Sequence, residues 1–160
     1  MAPSAEFLLG EFPRNLDERF RISLPSELQD AFPVGSECIL AKERPGCLSL
    51  WLADVWQAKW DAGMDILRGK LRAGKLEGRW EEVQQLGRLL STRHKQVSLA
   101  ERGRLVVPEG FREFLAVDPG GDVMIVGAAV CLELWQPRAW QAFLGERMPE
   151  FRKLFDQLTS

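Results

Sequence analysis

Apolar and polar positions alternate in two short stretches of the chain, and recur at helical spacing between and after them. Arg21-Ile22-Ser23-Leu24 and Arg104-Leu105-Val106-Val107 each alternate at the two-residue period of a half-buried strand. Pro25 and Pro108 follow directly, removing a backbone donor and favouring the start of a short helix. Around these strands the pattern predicts the same set of elements twice. A lead-in strand falls near Glu11–Leu16 and again near Gln96–Leu99. Polar turns follow at Asp17–Phe20 and Ala100–Gly103, and short helices at Ser26–Ala31 and Glu109–Leu115. Two further strands close each set: Glu37–Ala41 with Cys47–Trp51, and Val123–Val126 with Cys131–Trp135. Pro45-Gly46 and Gly127-Ala128-Ala129 read as the turns between them.

Elsewhere the period changes to that of a helix. Trp56, Trp60, Met64, Leu67 and Leu71 follow at spacings of 4, 4, 3 and 4. After a break at Gly74–Gly78, Leu76, Trp80, Val83, Leu86 and Leu90 continue the stripe. Trp140, Phe143, Leu144, Phe151, Leu154, Phe155 and Leu158 form another, which Pro149 kinks or restarts as a second helix. These stripes are expected to face the core, with the far tail best suited to contacts between subunits.

The two strand-rich sets are one unit written twice. Leu16-Asp17-Glu18-Arg19-Phe20-Arg21-Ile22-Ser23-Leu24-Pro25 and Leu99-Ala100-Glu101-Arg102-Gly103-Arg104-Leu105-Val106-Val107-Pro108 align without a gap at an offset of 83. Leu48-Ser49-Leu50-Trp51 matches Leu132-Glu133-Leu134-Trp135 at 84, and Trp56 and Trp140 keep that offset. A single unit has too few residues to bury its own apolar faces. The sequence therefore predicts an α+β chain in which two units share one core, a pseudo-twofold barrel-like β structure with short helices. The expected divisions are a first unit at 7–56, a helical insert at 57–91, a second unit at 92–140 and a helical tail at 141–160.

Composition narrows the function more than the fold. The chain has 160 residues, 46% hydrophobic and 28% charged, with a formal net charge of -2. Local basic stretches remain. Arg88, Arg93, Lys95, Arg102 and Arg104 face only Glu101, and Arg68, Lys70, Arg72, Lys75 and Arg79 lie beside Glu77. Cys38, Cys47 and Cys131 sit among apolar neighbours and lack CxxC spacing, so they read as buried reduced thiols. His94 is the only histidine, which argues against a zinc site. With no Gly-x-Ser-x-Gly, phosphate loop or metal cluster, the chain reads as a non-enzyme without a cofactor. Asp118-Pro119-Gly120-Gly121-Asp122 reads as a glycine-rich turn rather than a catalytic loop. The opening Met1-Ala2-Pro3-Ser4-Ala5-Glu6 lacks the basic and apolar regions of a secretory signal, so a cytoplasmic location is expected.

At the repeated residues the chain resembles the MraZ family. Phe7-Leu8-Leu9-Gly10-Glu11-Phe12 followed by Leu16–Pro25 looks like the family's start, and Val97–Pro108 falls where its second motif lies. The resemblance runs through the middle helix, ending Gly87-Arg88-Leu89-Leu90-Ser91, to about Leu144. It implies tandem SpoVT-AbrB-like units with swapped hairpins, ring-shaped homo-oligomers and binding to repeated promoter boxes of the division and cell-wall gene cluster. A nucleoid-associated, sequence-specific regulator with double-stranded DNA as its partner would follow. The resemblance implies that Arg21 and Arg104 face DNA, with Asp17 as the partner of Arg21. Asp17, Arg19, Arg21, Arg102, Gly103 and Arg104 are thus the candidate DNA-binding residues. The arginine fork suits phosphate or a guanine edge. The two motifs depart from the family pattern in complementary places: Phe20 stands where glycine is usual, and Ala100 where aspartate is. Glu101 is a candidate to replace that carboxylate. The competing reading is an oligomeric interaction protein on the same fold that has lost operator binding.

Overall fold

Strands from the two ends of the chain pair with each other. Leu8–Asn15 (β1) runs antiparallel to Asp122–Ala129 (β7), from Leu8 opposite Ala129 to Asn15 opposite Asp122. Reciprocally, His94–Ser98 (β5) pairs with Glu37–Arg44 (β3). Each lead-in strand is therefore lent to the other half. Cys47–Leu52 (β4) and Leu132–Trp135 (β8) join the halves at the centre, giving the sheet order β1-β7-β8-β4-β3-β5. The structure is a computed structural model that describes residues 7–160. The opening hexapeptide, read above as no secretory signal, lies outside the described residues.

A second, smaller sheet is made by Arg21–Ser23 (β2) and Arg104–Val106 (β6), paired antiparallel with Ile22 opposite Leu105. The expectation of a barrel is corrected here. The antiparallel sheet is open, with β1 and β5 as its edges, and the β2–β6 ribbon packs across it through side chains. Two three-residue strands are too short to carry hydrogen bonds around a closed wall.

Alternation decides what lies between the two sheets. Leu48, Leu50, Leu132 and Leu134 point one way from the central strands and meet Ile22, Leu24, Leu105 and Val107 in one buried cluster. Each such leucine contributes about 1.5–3 kcal/mol when fully buried. The short helices Ser26–Gln29 (α1) and Arg112–Leu115 (α4) close this core with Leu28 and Leu115.

The other face of the sheet carries indoles. Trp51 meets Trp56 at 5.8 Å, at the start of the helix Ala53–Arg72 (α2). Trp135 meets Trp140 at 5.1 Å, in the helix Pro137–Arg147 (α5). Their donors are satisfied: Trp51 Nε1 donates to Ser49 Oγ at 2.8 Å and Trp135 Nε1 to Glu133 Oε1 at 2.9 Å. Burial raises the Glu133 carboxyl above its ordinary pKa, with Glu43 adding to the effect. The three cysteines are buried free thiols, and burial pushes Cys38 up to about 11 and Cys131 up to about 12.

The insert corrects a second expectation. In α2 only Trp56 is buried, and the following helix Trp80–Arg93 (α3) buries no residue. Trp60 packs against the buried cluster around Trp56, but the rest of the stripe, Met64, Leu67, Val83, Leu86 and Leu90, does not reach the core and lines an open groove of about 700 Å³. Periodicity shows that a helix has an apolar side, but not that this side finds a partner within the chain. After α5, a tight turn at Met148–Glu150 holds Pro149, and Phe151–Thr159 (α6) restarts the helix with every residue exposed. Gly127, expected in a turn, lies inside β7 opposite Gly10. A Cβ there would come within 2.5 Å of the Leu8 backbone, so the close crossing of β1 and β7 requires glycine. Among the described residues, no helix is long and apolar enough to cross a membrane.

Candidate nucleic-acid interface

The ribbon sorts its residues by register. Ile22 and Leu105 face each other and are buried, so their neighbours must point outward. Arg21 stands opposite Val106, and Ser23 opposite Arg104. Arg21 and Arg104 thus share the outer face as diagonal neighbours, a relation that spans about 7–8 Å between strands. The structure brings the two arginines of the repeated motif onto one surface, although they stand far apart in sequence.

The turn before Arg21 is organised by Asp17. Its Oδ1 accepts from the Arg19 N–H at 2.8 Å and the Arg21 N–H at 2.9 Å. Its Oδ2 accepts from Arg21 Nε at 2.7 Å. The Arg21 backbone N–H is the main reason the Asp17 carboxyl lies below its ordinary pKa. Burial opposes this, while the Arg21 side chain and the Arg19 N–H add to it. The pairing leaves the Arg21 Nη groups free of the clamp and fixes the direction of the fork. Arg19 is exposed beside it.

The second turn reaches the same backbone by other means. The Ala100 N–H donates to the Arg104 carbonyl at 2.9 Å, and the Arg104 N–H returns to Ala100 at 3.3 Å. Arg102 and Gly103 both take left-handed conformations, with φ of 63° and 64°. Arg102 is exposed and Gly103 is buried. Among the described residues Arg104 has no carboxylate partner, and Glu101 forms no ion pair in place of the missing aspartate.

Three residues outside the predicted set, Phe20, Arg112 and Gln29, complete the loops. Phe20 holds φ 58° without glycine's freedom, at a cost of about 1–2 kcal/mol. Its ring lies under the Arg112 guanidinium, 4.0 Å from the Cζ, while Arg112 Nε donates to the Val107 carbonyl at 2.9 Å. On the opposite loop Gln29 takes this place. Its Nε2 donates to the Leu24 carbonyl at 2.9 Å and the Arg102 carbonyl at 3.2 Å. A Cβ at Gly103 would meet Gln29 Cγ at 3.1 Å and Leu24 Cβ at 3.2 Å. The loops also lock reciprocally: the Val107 N–H donates to the Phe20 carbonyl at 2.8 Å, and the Leu24 N–H to the Gly103 carbonyl at 3.0 Å. The signal that finds Arg112 is the offset of 83, which carries Gln29 onto it.

The Asp118–Asp122 loop is also structural. The Leu16 N–H donates to the Gly121 carbonyl at 2.9 Å and the Gly120 N–H to the Leu16 carbonyl at 2.6 Å, tying the loop to the base of the first turn.

Comparison with known proteins gives these loops a context. A family model described as "MraZ protein, putative antitoxin-like" matches residues 91–158. That match extends through the tail, beyond the limit near Leu144 set by the motifs. A relative from Roseiflexus castenholzii is 29% identical over 136 residues, covering 85% of this chain and 85% of its own. One from Syntrophomonas wolfei is 25% identical over 150 residues, covering 94% and 95%. One from Treponema denticola is 25% identical over 151 residues, covering 94% and 96%. A solution structure from Pyrococcus horikoshii matches at a TM-score of 0.33 and 11% identity, over 81% of this chain and 90% of that one, too distant to bear on the fold.

The three relatives share one class and one name, transcriptional regulator MraZ. The chain is similar to these MraZ proteins over most of its length, and the family model matches its second half.

Proposed function

We propose that the protein is a transcriptional regulator that binds DNA through the outward face of the β2–β6 ribbon. The supporting observation is the register that sets Arg21 and Arg104 on one solvent-facing surface. A two-stranded ribbon is narrow enough to enter a major groove, where an arginine fork can bind guanine or the flanking phosphates. Asp17 orients the Arg21 fork before contact, which reduces the ordering needed on binding. Arg19 and Arg102 flank the ribbon and contribute phosphate contacts, and Gly103 lets the second turn close.

In this reading residues 7–56 and 92–140 act as two AbrB-like units, with the insert at 57–91 and the tail at 141–160 serving assembly. A ring of copies sets many ribbons against repeated promoter boxes of the division and cell-wall cluster in the nucleoid. Each contact is weak alone, and linkage raises the effective concentration of the rest. The family names carried by the relatives support the regulatory role.

The test is anisotropy of a labelled promoter duplex from this gene cluster, titrated across a salt series beside a scrambled duplex. The expected result is preference for the promoter and steep weakening with salt as counterions are released. Absence of binding at low salt overturns the DNA reading and favours an oligomeric interaction protein on the same fold.

A further inference from the structure

The outward face of the β2–β6 ribbon holds four side chains, and two of them are not arginines. Arg21 stands opposite Val106, and Arg104 opposite Ser23. Both strands bury their middle residue and expose their last, Ser23 in β2 and Val106 in β6. The ladder sets how close these side chains come. The Val107 N–H donates to the Phe20 carbonyl and the Leu24 N–H to the Gly103 carbonyl. Hydrogen-bonded pairs recur every second residue. Arg21 with Val106 and Ser23 with Arg104 are therefore the non-bonded pairs, whose Cα atoms approach to about 4.5 Å. Along each strand the arginine and its exposed neighbour are about 7 Å apart, roughly the rise of two base-pair steps. Val106 is 49% exposed and, among the described residues, joins none of the buried clusters.

We infer that Val106 is a specificity-determining residue that reads the C5-methyl group of a thymine beside the base pair contacted by Arg21. The inference rests on the proposed DNA-binding role of the ribbon and names part of its sequence preference. The valine side chain carries no donor or acceptor, so it offers nothing to a phosphate or to a polar base edge. The thymine methyl is the apolar group that the major groove presents; cytosine shows an amino donor there instead. The repeat sharpens the point. The offset of 83 that relates Arg21 to Arg104 also relates Ser23 to Val106. Two equivalent arginines on antiparallel strands would by themselves give a face with twofold symmetry, suited to a palindrome. Serine on one strand and valine on the other break that symmetry. A serine hydroxyl bonds to donors and acceptors alike and selects weakly, whereas valine favours a methyl group. The ribbon therefore reads its site in one direction, with the thymine on the β6 side.

Replacing thymine by uracil removes that methyl group and keeps the base pairing. The test is anisotropy of the full chain with the labelled promoter duplex, made with thymine or with uracil throughout, for wild type, Val106→Ser and Ser23→Ala. Val106→Ser copies the residue of β2 onto an exposed position of β6, and the melting temperature checks that the fold persists. Wild type should bind the uracil duplex roughly 4-fold more weakly for each ribbon engaged, the effect of burying one methyl group. Val106→Ser should bind the thymine duplex more weakly by a similar factor and should not distinguish the two duplexes. Ser23→Ala should keep the wild-type ratio. Equal wild-type affinity for the two duplexes overturns the inference and leaves the DNA-binding surface in place. A uracil penalty that persists in Val106→Ser does the same, because the methyl is then read elsewhere or through the stiffness of the duplex. A ratio that falls to one in Ser23→Ala puts the methyl contact on β2 and also overturns it. If the wild type binds neither duplex at low salt, the DNA reading fails and this inference fails with it.

Discussion

The turn before Arg21 and the turn before Arg104 have similar backbones and different side chains. Each accepts a hydrogen bond across the ribbon at the equivalent carbonyl, that of Phe20 or Gly103, and each places a left-handed residue just before its arginine. The first holds that conformation with Phe20, covered by Arg112, and fixes its arginine with Asp17. The second uses Gly103, packed beneath Gln29, and among the described residues gives Arg104 no carboxylate. Phe20 and Ala100 are therefore local exchanges in which a neighbouring residue changes as well. Backbone shape is set by the reciprocal hydrogen bonds, while side chains tune how tightly each arginine is held.

The greatest stability loss should come from forcing the first solution onto the second loop. Gly103→Phe has no room beside Gln29 and Leu24 and no arginine to cover it. Overpacking costs about 1–3 kcal/mol, and the left-handed backbone adds about 1–2. Urea denaturation should show a large fall in midpoint, and a wild-type midpoint would mean the loops are interchangeable.

Smaller effects should separate Phe20 from its cover. Arg112→Ala removes a stacked cation and a hydrogen bond to the Val107 carbonyl, together about 1–2 kcal/mol. Phe20→Gly loses packing but relieves the left-handed conformation, leaving a net change below about 1 kcal/mol. A double-mutant cycle should give coupling between these positions; strict additivity would show that the stacked pair contributes nothing.

The smallest effect should be a pH dependence confined to the first loop. The Asp17 carboxyl lies below its ordinary value of 3.8 in the folded chain. Its contribution is thus present above that value and is lost as pH falls through the folded value. The melting temperatures of wild type and Asp17→Asn should converge on acidification. A difference that stays constant with pH would remove the carboxylate from the account.

Much of this was legible in the sequence because the repeat fixed which residues are equivalent. The strands, the polar turns and the restart at Pro149 follow from alternation, composition and proline chemistry. The open sheet did not, because alternation specifies a strand's faces without naming its neighbours. The apolar stripe after Trp56 was legible as a stripe, yet its periodicity could not show that α3 leans away and leaves a groove. Arg112 was missed because its role depends on a ring in the other half of the chain. Placing the two copies in register exposes it, since Gln29 holds the corresponding position.

The central claim is that both arginines act from one ribbon on one duplex. The direct measurement is promoter-duplex affinity for wild type, Arg21→Ala, Arg104→Ala and the double variant, each across a salt series. Each single change should lower affinity by roughly 5- to 150-fold, corresponding to about 1–3 kcal/mol for a bidentate contact. Where the lost contact is to phosphate, the salt slope should fall by about one. The double variant should bind most weakly. A single variant that binds with wild-type affinity and salt slope would contradict the claim, because that arginine would then lie outside the DNA-binding surface.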